Sequence, residues 1–150
     1  MTTVVARDLS LRYPSDNPDT RSVAVNGVSF DIAPGQILAV VGETGSGKST
    51  LARAVALEAD LSHEDSPVIS GGSLSVLGTE VRGIGRRARD RILLSVGYLR
   101  QEAGDFLEPR LTVGENVAEP IFSRDRKFDQ DEAGYAVATL IDAVRLPLSA

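Results

Sequence analysis

The chain has 150 residues, of which 42% are hydrophobic and 25% are charged, a composition typical of one globular domain large enough to bury a real core. Its net charge of -5 has the wrong sign for a general DNA-binding or anionic-membrane protein, although backbone amides could still hold a nucleotide. The chain has no cysteine, which excludes disulfides and thiolate metal sites.

The start of the chain does not resemble a signal peptide, because Arg7, Asp8 and Arg12 interrupt its apolar residues. No apolar run approaches the roughly 20 residues that a helix needs to cross a bilayer. We therefore expect a cytoplasmic protein whose membrane role, if it has one, is exerted through a partner.

The first third of the chain has the pattern of β-strands. Val, Leu and aromatic residues interleaved with polar ones predict strands at Val4–Tyr13 and Val23–Ile32. Residues 14–22 between them have the composition of a loop. The continuous apolar run QILAVV at 36–41 then predicts a short buried strand.

The middle of the chain alternates between helix and strand patterns. Apolar residues spaced along one face predict a helix at 48–59, which an acidic stretch followed by Pro67 ends. Residues 68–81 predict strand, turn and strand, with glycines as the breakers. A basic helix at 86–94 and a strand at 96–99 are expected next.

The end of the chain is predicted to be helical. Thr112 and Glu115 have the spacing of a capping box, and Asp129 and Glu132 repeat that spacing less cleanly. An amphipathic stripe that Pro147 ends then predicts a second helix with one face packed in a core. The stripe consists of Ala133, Ala136, Val137, Leu140, Ile141 and Val144.

Residues 42–49, GETGSGKS, fit the pattern G-x-x-x-x-G-K-[ST] between a predicted strand and a predicted helix. This is the context that a phosphate-binding loop (P-loop) requires. Gly42, Gly45 and Gly47 allow positive φ and a close approach of the backbone to a ligand. The consecutive N–H groups of such a turn, at the start of a helix, form a concave anion site.

The side chains of the loop have expected parts as well. Lys48 can reach the β- and γ-phosphates, Ser49 offers a hydroxyl to Mg²⁺, and Thr50 is placed for the α-phosphate. The remaining members of the predicted nucleotide site are Glu43, Thr44 and Ser46. The alternative is a glycine-rich turn that binds nothing, which the flanking strand and helix patterns disfavour.

Three longer stretches narrow the class of P-loop protein: LSLRYP, VNGVSFDIAPGQILAVVGETGSGKSTLARAV and VGYLRQEAGDFLEPRLTVGENVAEPI. They closely resemble the ATP-binding cassette (ABC) ATPases, and among these the oligopeptide and dipeptide importers. The resemblance implies an α/β fold of the P-loop NTPase type, with an antiparallel β-subdomain and the start of a helical subdomain around an incomplete sheet. The expected parts are the β-subdomain at 1–35, the P-loop α/β core up to the Q-loop at 36–105, and the start of the helical subdomain at 106–150.

Two further site residues follow from this resemblance. Tyr13 stands where the family places an aromatic ring that stacks on adenine; the alternative is a tyrosine that caps the core at a strand end. Gln101, in YLRQEAGDF, matches the family's Q-loop glutamine, which contacts Mg²⁺ or the attacking water; the alternative is an ordinary polar residue. The resemblance thus implies Lys48 and Gln101 as catalytic residues, and Ser49 and Gln101 as metal ligands.

The resemblance also implies cofactors, partners and a location. The cofactors are ATP and Mg²⁺. The partners are transmembrane permease subunits, a second ATP-binding subunit of the same or another kind, and indirectly a solute-binding receptor, with no nucleic acid among them. The expected location is the cytoplasmic face of the cell membrane, held peripherally through the permease.

Several motifs that this family uses for hydrolysis are not found in the 150 residues: the LSGGQ signature, the Walker B strand with its catalytic glutamate, the D-loop and the switch histidine. Ser70–Gly72 contains SGG but is interpreted as a turn, Asp142 as a surface residue of a helix, and His63 as a solvated loop residue. We therefore expect Mg-ATP binding without turnover. Unpaired apolar sheet edges are also expected, and these favour marginal stability or self-association.

Two other functions stay open. One is a shortened, non-catalytic nucleotide-binding module that regulates a partner, and the other is a cytoplasmic ABC ATPase that acts in DNA repair or translation. The stretch EPRLTVGENVAEP and the negative net charge favour an importer. The solute stays open among peptides, nickel ions, glutathione and other small molecules.

Overall fold

The computed structural model describes residues 3–14, 23–59 and 66–146. In chain order its elements are β1 (Val4–Arg12), β2 (Val23–Ile32), α1 (Lys48–Val55), β3 (Val68–Val76), β4 (Thr79–Glu80), α2 (Arg86–Leu93), a short 3₁₀ helix (Ala103–Phe106), α3 (Val113–Arg124) and α4 (Gln130–Ala143). Internal contacts divide the chain into two units, residues 1–98 and 99–150. None of the described helices is long and apolar enough to cross a membrane.

The first unit is built on an antiparallel sheet of four strands in the order β2-β1-β3-β4. β1 is the inner strand, and Val4 pairs with Ile32 of β2 on one side and with Val76 of β3 on the other. One face of the sheet buries Ala6, Leu9 and Leu74 against α1 and α2. The predicted strands at Val4–Tyr13 and Val23–Ile32 are confirmed to within one residue.

A bulge at Asp8 changes which residues of β1 face the core. Val4 and Ala6 are buried before it, and Leu9 and Leu11 after it, so the alternation slips by one residue. The pairing with both neighbouring strands shifts at the same place, and Asp8 has a φ of 47°. An extra residue in a strand produces such a shift of register.

The structure places Ser70–Gly72 inside β3, so the interpretation of these residues as a turn is wrong. Gly72, with a φ of 64°, lies opposite the bulge of β1. A Cβ added there would lie 2.1 Å from the backbone oxygen of Asp8. The glycines therefore allow β1 and β3 to approach closely. In the folded chain, the pairing of these strands outweighs the preference of the isolated segment for a turn.

Helix α1 ends at Val55 and not at residue 59 as the pattern predicts. Leu57 takes the left-handed conformation with a φ of 64° and is fully buried. Left-handed backbone costs about 1–2 kcal/mol for a residue other than glycine. Burying a leucine side chain contributes about 1.5–3 kcal/mol, so the core interaction favours ending the helix here.

Two predicted strands do not form. Residues 36–41 belong to no strand or helix, and Ile37 and Val41 are 93% and 89% exposed. Residues 96–99 are also unassigned, and Leu99 is exposed. A strand needs a neighbouring backbone to pair with, and the sheet of the described residues does not supply one at either segment.

The second unit contains α3 and α4, and its core includes Ala133, Val137 and Ile141 of α4. Thr112 and Glu115 form the predicted capping box at the start of α3. The Asp129 carboxylate caps α4 by accepting hydrogen bonds from two backbone N–H groups at 2.9 Å. Helix α4 ends at Ala143, before Pro147, which lies outside the described residues.

The sequence also led to interpretations of Asp142 and His63. Asp142 is exposed on α4, as expected for a surface residue of a helix. His63 and most of the predicted loop at 14–22 lie outside the described residues.

Candidate nucleotide-binding site

The phosphate loop leads directly into α1, and Gly47 is the residue before the first helical turn. Gly42, Gly45 and Gly47 have φ values of 156°, 85° and 89°. A Cβ on Gly47 would lie 2.1 Å from the backbone oxygen of Ala24, because β2 runs against the loop at this point. The glycine pattern thus meets two physical demands, left-handed backbone and contact with a neighbouring strand.

Lys48 folds back over its own loop. Its Nζ donates to the backbone oxygens of Gly42 at 2.9 Å and Glu43 at 2.6 Å, and lies 3.4 Å from the hydroxyl of Ser46. These partners are neutral dipoles, so the ammonium charge stays available to an anion that enters the loop. The first turn of α1 contains no carboxylate that would neutralise the positive end of the helix dipole.

Tyr13 follows β1 and lies against the first turn of α1. The Tyr13 hydroxyl is 3.2 Å from Oγ1 of the buried Thr50. The same Tyr13 hydroxyl accepts a hydrogen bond from Nη1 of Arg53 at 3.4 Å. The strand pairing and the packing of α1 therefore bring together residues separated by about 40 positions in the chain.

A cavity of about 330 Å³ opens at this place. Its lining consists of Tyr13, Val23, Ala24, Gly45 and residues 47–50. The lining combines residues of the phosphate loop with Tyr13 and two apolar residues of β2. This combination suits a ligand that has both a charged group and a flat apolar group.

The predicted loop residues beyond this lining are also close by. Gly42, Glu43 and Ser46 contact the Lys48 ammonium through their oxygens, and Thr44 lies in the turn that precedes Gly45. Ser49 lines the cavity and is exposed, as a hydroxyl that could reach a metal ion must be.

Gln101 belongs to the second unit, in an exposed turn before the 3₁₀ helix. Its neighbour Arg100 places its guanidinium 4.7 Å from the centre of the Phe106 ring, which closes the turn by a cation–π contact. The structure thus places Gln101 on a short exposed turn, and its catalytic and metal-binding roles stay predictions.

Sequence reasoning missed three residues of the site. Arg53 could have been found, because it lies three positions after Thr50 and hence on the same helical face. Val23 and Ala24 gave no signal, because only the pairing of β2 with β1 brings them to the loop.

Comparisons with known proteins agree with this geometry. A family model described as ABC transporter matches residues 25–148. The chain is 38% identical over 124 residues to the di/tripeptide transport ATP-binding protein DppF of Pseudomonas aeruginosa, covering 80% of this chain and 36% of that protein. It is 35% identical over 123 residues to the oligopeptide transport ATP-binding protein OppD of Mycobacterium tuberculosis, covering 82% and 18%.

A third relative is the glutathione import ATP-binding protein GsiA of Escherichia coli, 32% identical over 145 residues, covering 93% of this chain and 22% of the relative. The chain thus spans little more than a third of the first of these relatives and about a fifth of the other two.

Among the solved structures that share the fold is a dimeric ATP-binding cassette. The dimeric ATP-binding cassette MJ0796, in a post-hydrolysis state bound to ADP and Pi, superposes with a TM-score of 0.75 at 20% identity. The match covers 97% of this chain and 59% of that one.

Proposed function

Because the chain belongs to the ABC transporter family, we propose that it forms the part of an importer's ATP-binding subunit that holds Mg-ATP. The relatives named above are ATP-binding proteins of peptide transport and of glutathione import. In the whole protein, ATP hydrolysis would be coupled to uptake of a peptide or a similar small solute.

One observation carries this proposal: the cavity joins a phosphate loop to an aromatic ring. Its lining includes Lys48, Ser49, Gly45 and Gly47 of the loop together with Tyr13. A nucleotide has a group for each, a polyphosphate and a flat base that stacks on aromatic rings.

The residues present fit Mg-ATP. A Cβ on Gly45 would meet nothing within 4 Å, so the loop at this glycine borders open space. The Lys48 ammonium would exchange backbone oxygens for phosphate oxygens, and the Ser49 hydroxyl would ligate Mg²⁺. The metal, when bound, neutralises phosphate charge. Gln101 would contact the metal or the attacking water.

The proposed partners are permease subunits, which would hold the subunit at the cytoplasmic face of the membrane, and a second ATP-binding subunit. Residues 106–150 would contribute the start of the helical subdomain that meets the permease. Residues 1–35 and 36–105 would be the β-subdomain and the nucleotide-binding core. The 150-residue chain by itself is expected to bind ATP without hydrolysing it, because it lacks the signature and Walker B motifs.

The test is thermal unfolding of the chain with increasing ATP, with and without Mg²⁺. Ligand at about 100 times its dissociation constant stabilises the folded state by about 2.7 kcal/mol, so a clear rise in Tm is expected. Lys48→Ala should remove most of this rise. Lys127→Ala is the matched control, because Lys127 is exposed in the turn between α3 and α4.

Two results would contradict the proposal. The absence of any Tm shift at millimolar ATP would mean that the loop does not bind the nucleotide. Steady ATP turnover by the purified chain, lost in Lys48→Ala, would show that the chain contains its own catalytic groups after all.

A further inference from the structure

A row of polar contacts runs from the end of α1 to the first turn of the same helix. Arg53 Nε donates to Oε2 of Glu58 at 2.9 Å, and its Nη1 donates to the Tyr13 hydroxyl at 3.4 Å. The Tyr13 hydroxyl in turn lies 3.2 Å from Oγ1 of Thr50. The guanidinium of Arg53 therefore holds a residue of the nucleotide site while it lies outside the lining of the cavity.

The end of α1 creates the first of these contacts. With Leu57 in the left-handed conformation, the backbone N–H of Glu58 donates to the carbonyl of Arg53 at 2.9 Å, and that of Leu57 donates to Ala54. This is the hydrogen-bond pattern with which helices commonly close. It turns the chain back, so that the Glu58 carboxylate lies beside the Arg53 guanidinium.

The charge on Arg53 is retained in this setting. The side chains of Arg53 and Glu58 are only 27% and 20% exposed. Burial opposes the charge on Arg53, but the hydrogen bonds and charge interactions with Glu58 and Tyr13 together outweigh it, and the pKa of Arg53 is raised. An ion pair shielded from water in this way is held more firmly than one on the surface.

The contacts also fix the place of the Tyr13 hydroxyl. Arginine is only a donor, so the Tyr13 oxygen accepts from Arg53, and in the pair that Tyr13 forms with Thr50 either hydroxyl can donate to the other. Polar groups linked in sequence reinforce one another in this arrangement.

We propose that Arg53 is a positioning residue for the nucleotide base. It fixes the hydroxyl end of Tyr13 against α1 and thereby sets the plane in which the ring meets the base. This inference rests on the proposed function, since it assumes that the cavity holds a nucleotide with its base at Tyr13. The inference predicts that binding of the base depends on Arg53 and that binding of the polyphosphate does not.

The experiment compares two probes, Mg-ATP and magnesium tripolyphosphate, by calorimetric titration of the 150-residue chain. Arg53→Met keeps the length of the side chain without its donors, and Tyr13→Phe keeps the ring without its hydroxyl. Each change is expected to weaken ATP binding about tenfold, equivalent to about 1.4 kcal/mol. Tripolyphosphate binding should change by less than about twofold. Arg87→Met, an exposed arginine of α2, is the matched control for loss of a charge.

The double variant adds a further criterion. If Arg53 acts through the Tyr13 hydroxyl, Arg53→Met with Tyr13→Phe should bind ATP no more weakly than either single variant. Equal losses for both probes would show a general structural role and overturn the inference, as would additive losses or unchanged ATP binding. Failure of the unsubstituted chain to bind either probe would instead overturn the proposed function, and this inference with it.

Discussion

Gly47 joins the phosphate loop to α1 at a place where a side chain has no room. Its φ of 89° is left-handed, and a Cβ would lie 2.1 Å from the Ala24 oxygen and 2.9 Å from a methyl group of Val25. The first constraint is local and can be recognised in the motif. The second constraint depends on β2, so the sequence pattern does not reveal how little room there is for a side chain at this position.

Gly47→Ala should therefore lower both the stability of the chain and its affinity for nucleotide. Left-handed alanine alone costs about 1–2 kcal/mol, and the overlap with β2 adds to it because the backbone must move. Gly35→Ala is the matched control, since Gly35 has a φ of 74° with nothing within 4 Å of a Cβ. Chemical denaturation measures the unfolding free energy of both variants. Equal losses of unfolding free energy in the two variants would contradict the close contact with β2.

At the scale of single elements, helix boundaries follow local chemistry where a cap is present. The Glu115 carboxylate accepts hydrogen bonds from the backbone N–H and the hydroxyl of Thr112 at 2.8 and 2.9 Å, and the hydroxyl accepts one from the Glu115 N–H at 3.2 Å. Both partners are three residues apart, so the sequence alone predicts the start of α3. Helix α1 differs, because its end depends on the buried position of Leu57.

The capping box should respond to pH. The backbone hydrogen bond and then the hydroxyl of Thr112 lower the pKa of Glu115 from its ordinary value of 4.5. Since the folded-state pKa is the lower one, the stabilisation is present above the ordinary value. It is lost as pH falls through the lowered pKa. The first turn of α3 is therefore expected to lose order in acid, at a pH below that at which a glutamate of an unfolded chain takes up its proton.

NMR titration of the Glu115 carboxyl tests this expectation directly. Thr112→Ala removes one of the two hydrogen bonds and should move the pKa part of the way back towards the ordinary value. Thr139→Ala, a change to an exposed threonine of α4, should leave the titration of Glu115 as it is. A titration of Glu115 at its ordinary pKa in the unsubstituted chain would rule the effect out.

At the scale of the whole molecule, the apolar segment 36–41 is the main departure from an ordinary globular surface. It exposes Ile37, Leu38, Val40 and Val41 together, immediately before the phosphate loop. An exposed apolar segment that belongs to no strand can add to the edge of another sheet. Self-association through this segment follows from its exposure, whatever the function of the nucleotide site.

We expect the chain to self-associate at micromolar concentrations, as measured by sedimentation velocity. The double change Ile37→Lys with Val41→Lys should shift it towards monomer, because charges on an edge oppose strand addition. Leu140→Lys, which alters an exposed leucine of α4, is the matched control and should leave association unchanged. A chain that is already monomeric without substitution would refute this expectation.

The sequence by itself determined the phosphate loop, the first two strands, the caps of α3 and α4 and the family resemblance. All of these depend on residues close together in the chain, where glycine conformations, hydrogen-bonding side chains and hydrophobic spacing act locally. It also predicted strands at 36–41 and 96–99 and a turn at Ser70–Gly72, and these predictions were wrong. Whether an apolar or glycine-rich segment forms a strand depends on a paired neighbour, and a single sequence does not show that neighbour.

Only the tertiary structure decided that Tyr13 meets α1 and that Arg53 holds its hydroxyl. The contact joins residues 40 positions apart, and the pairing of β1 with its neighbours and the packing of α1 on the sheet produce it. The motif predicts the residues that would face the phosphates, because they are consecutive in the chain. The residues that we propose to position the base come from separate elements, and packing alone brings them together.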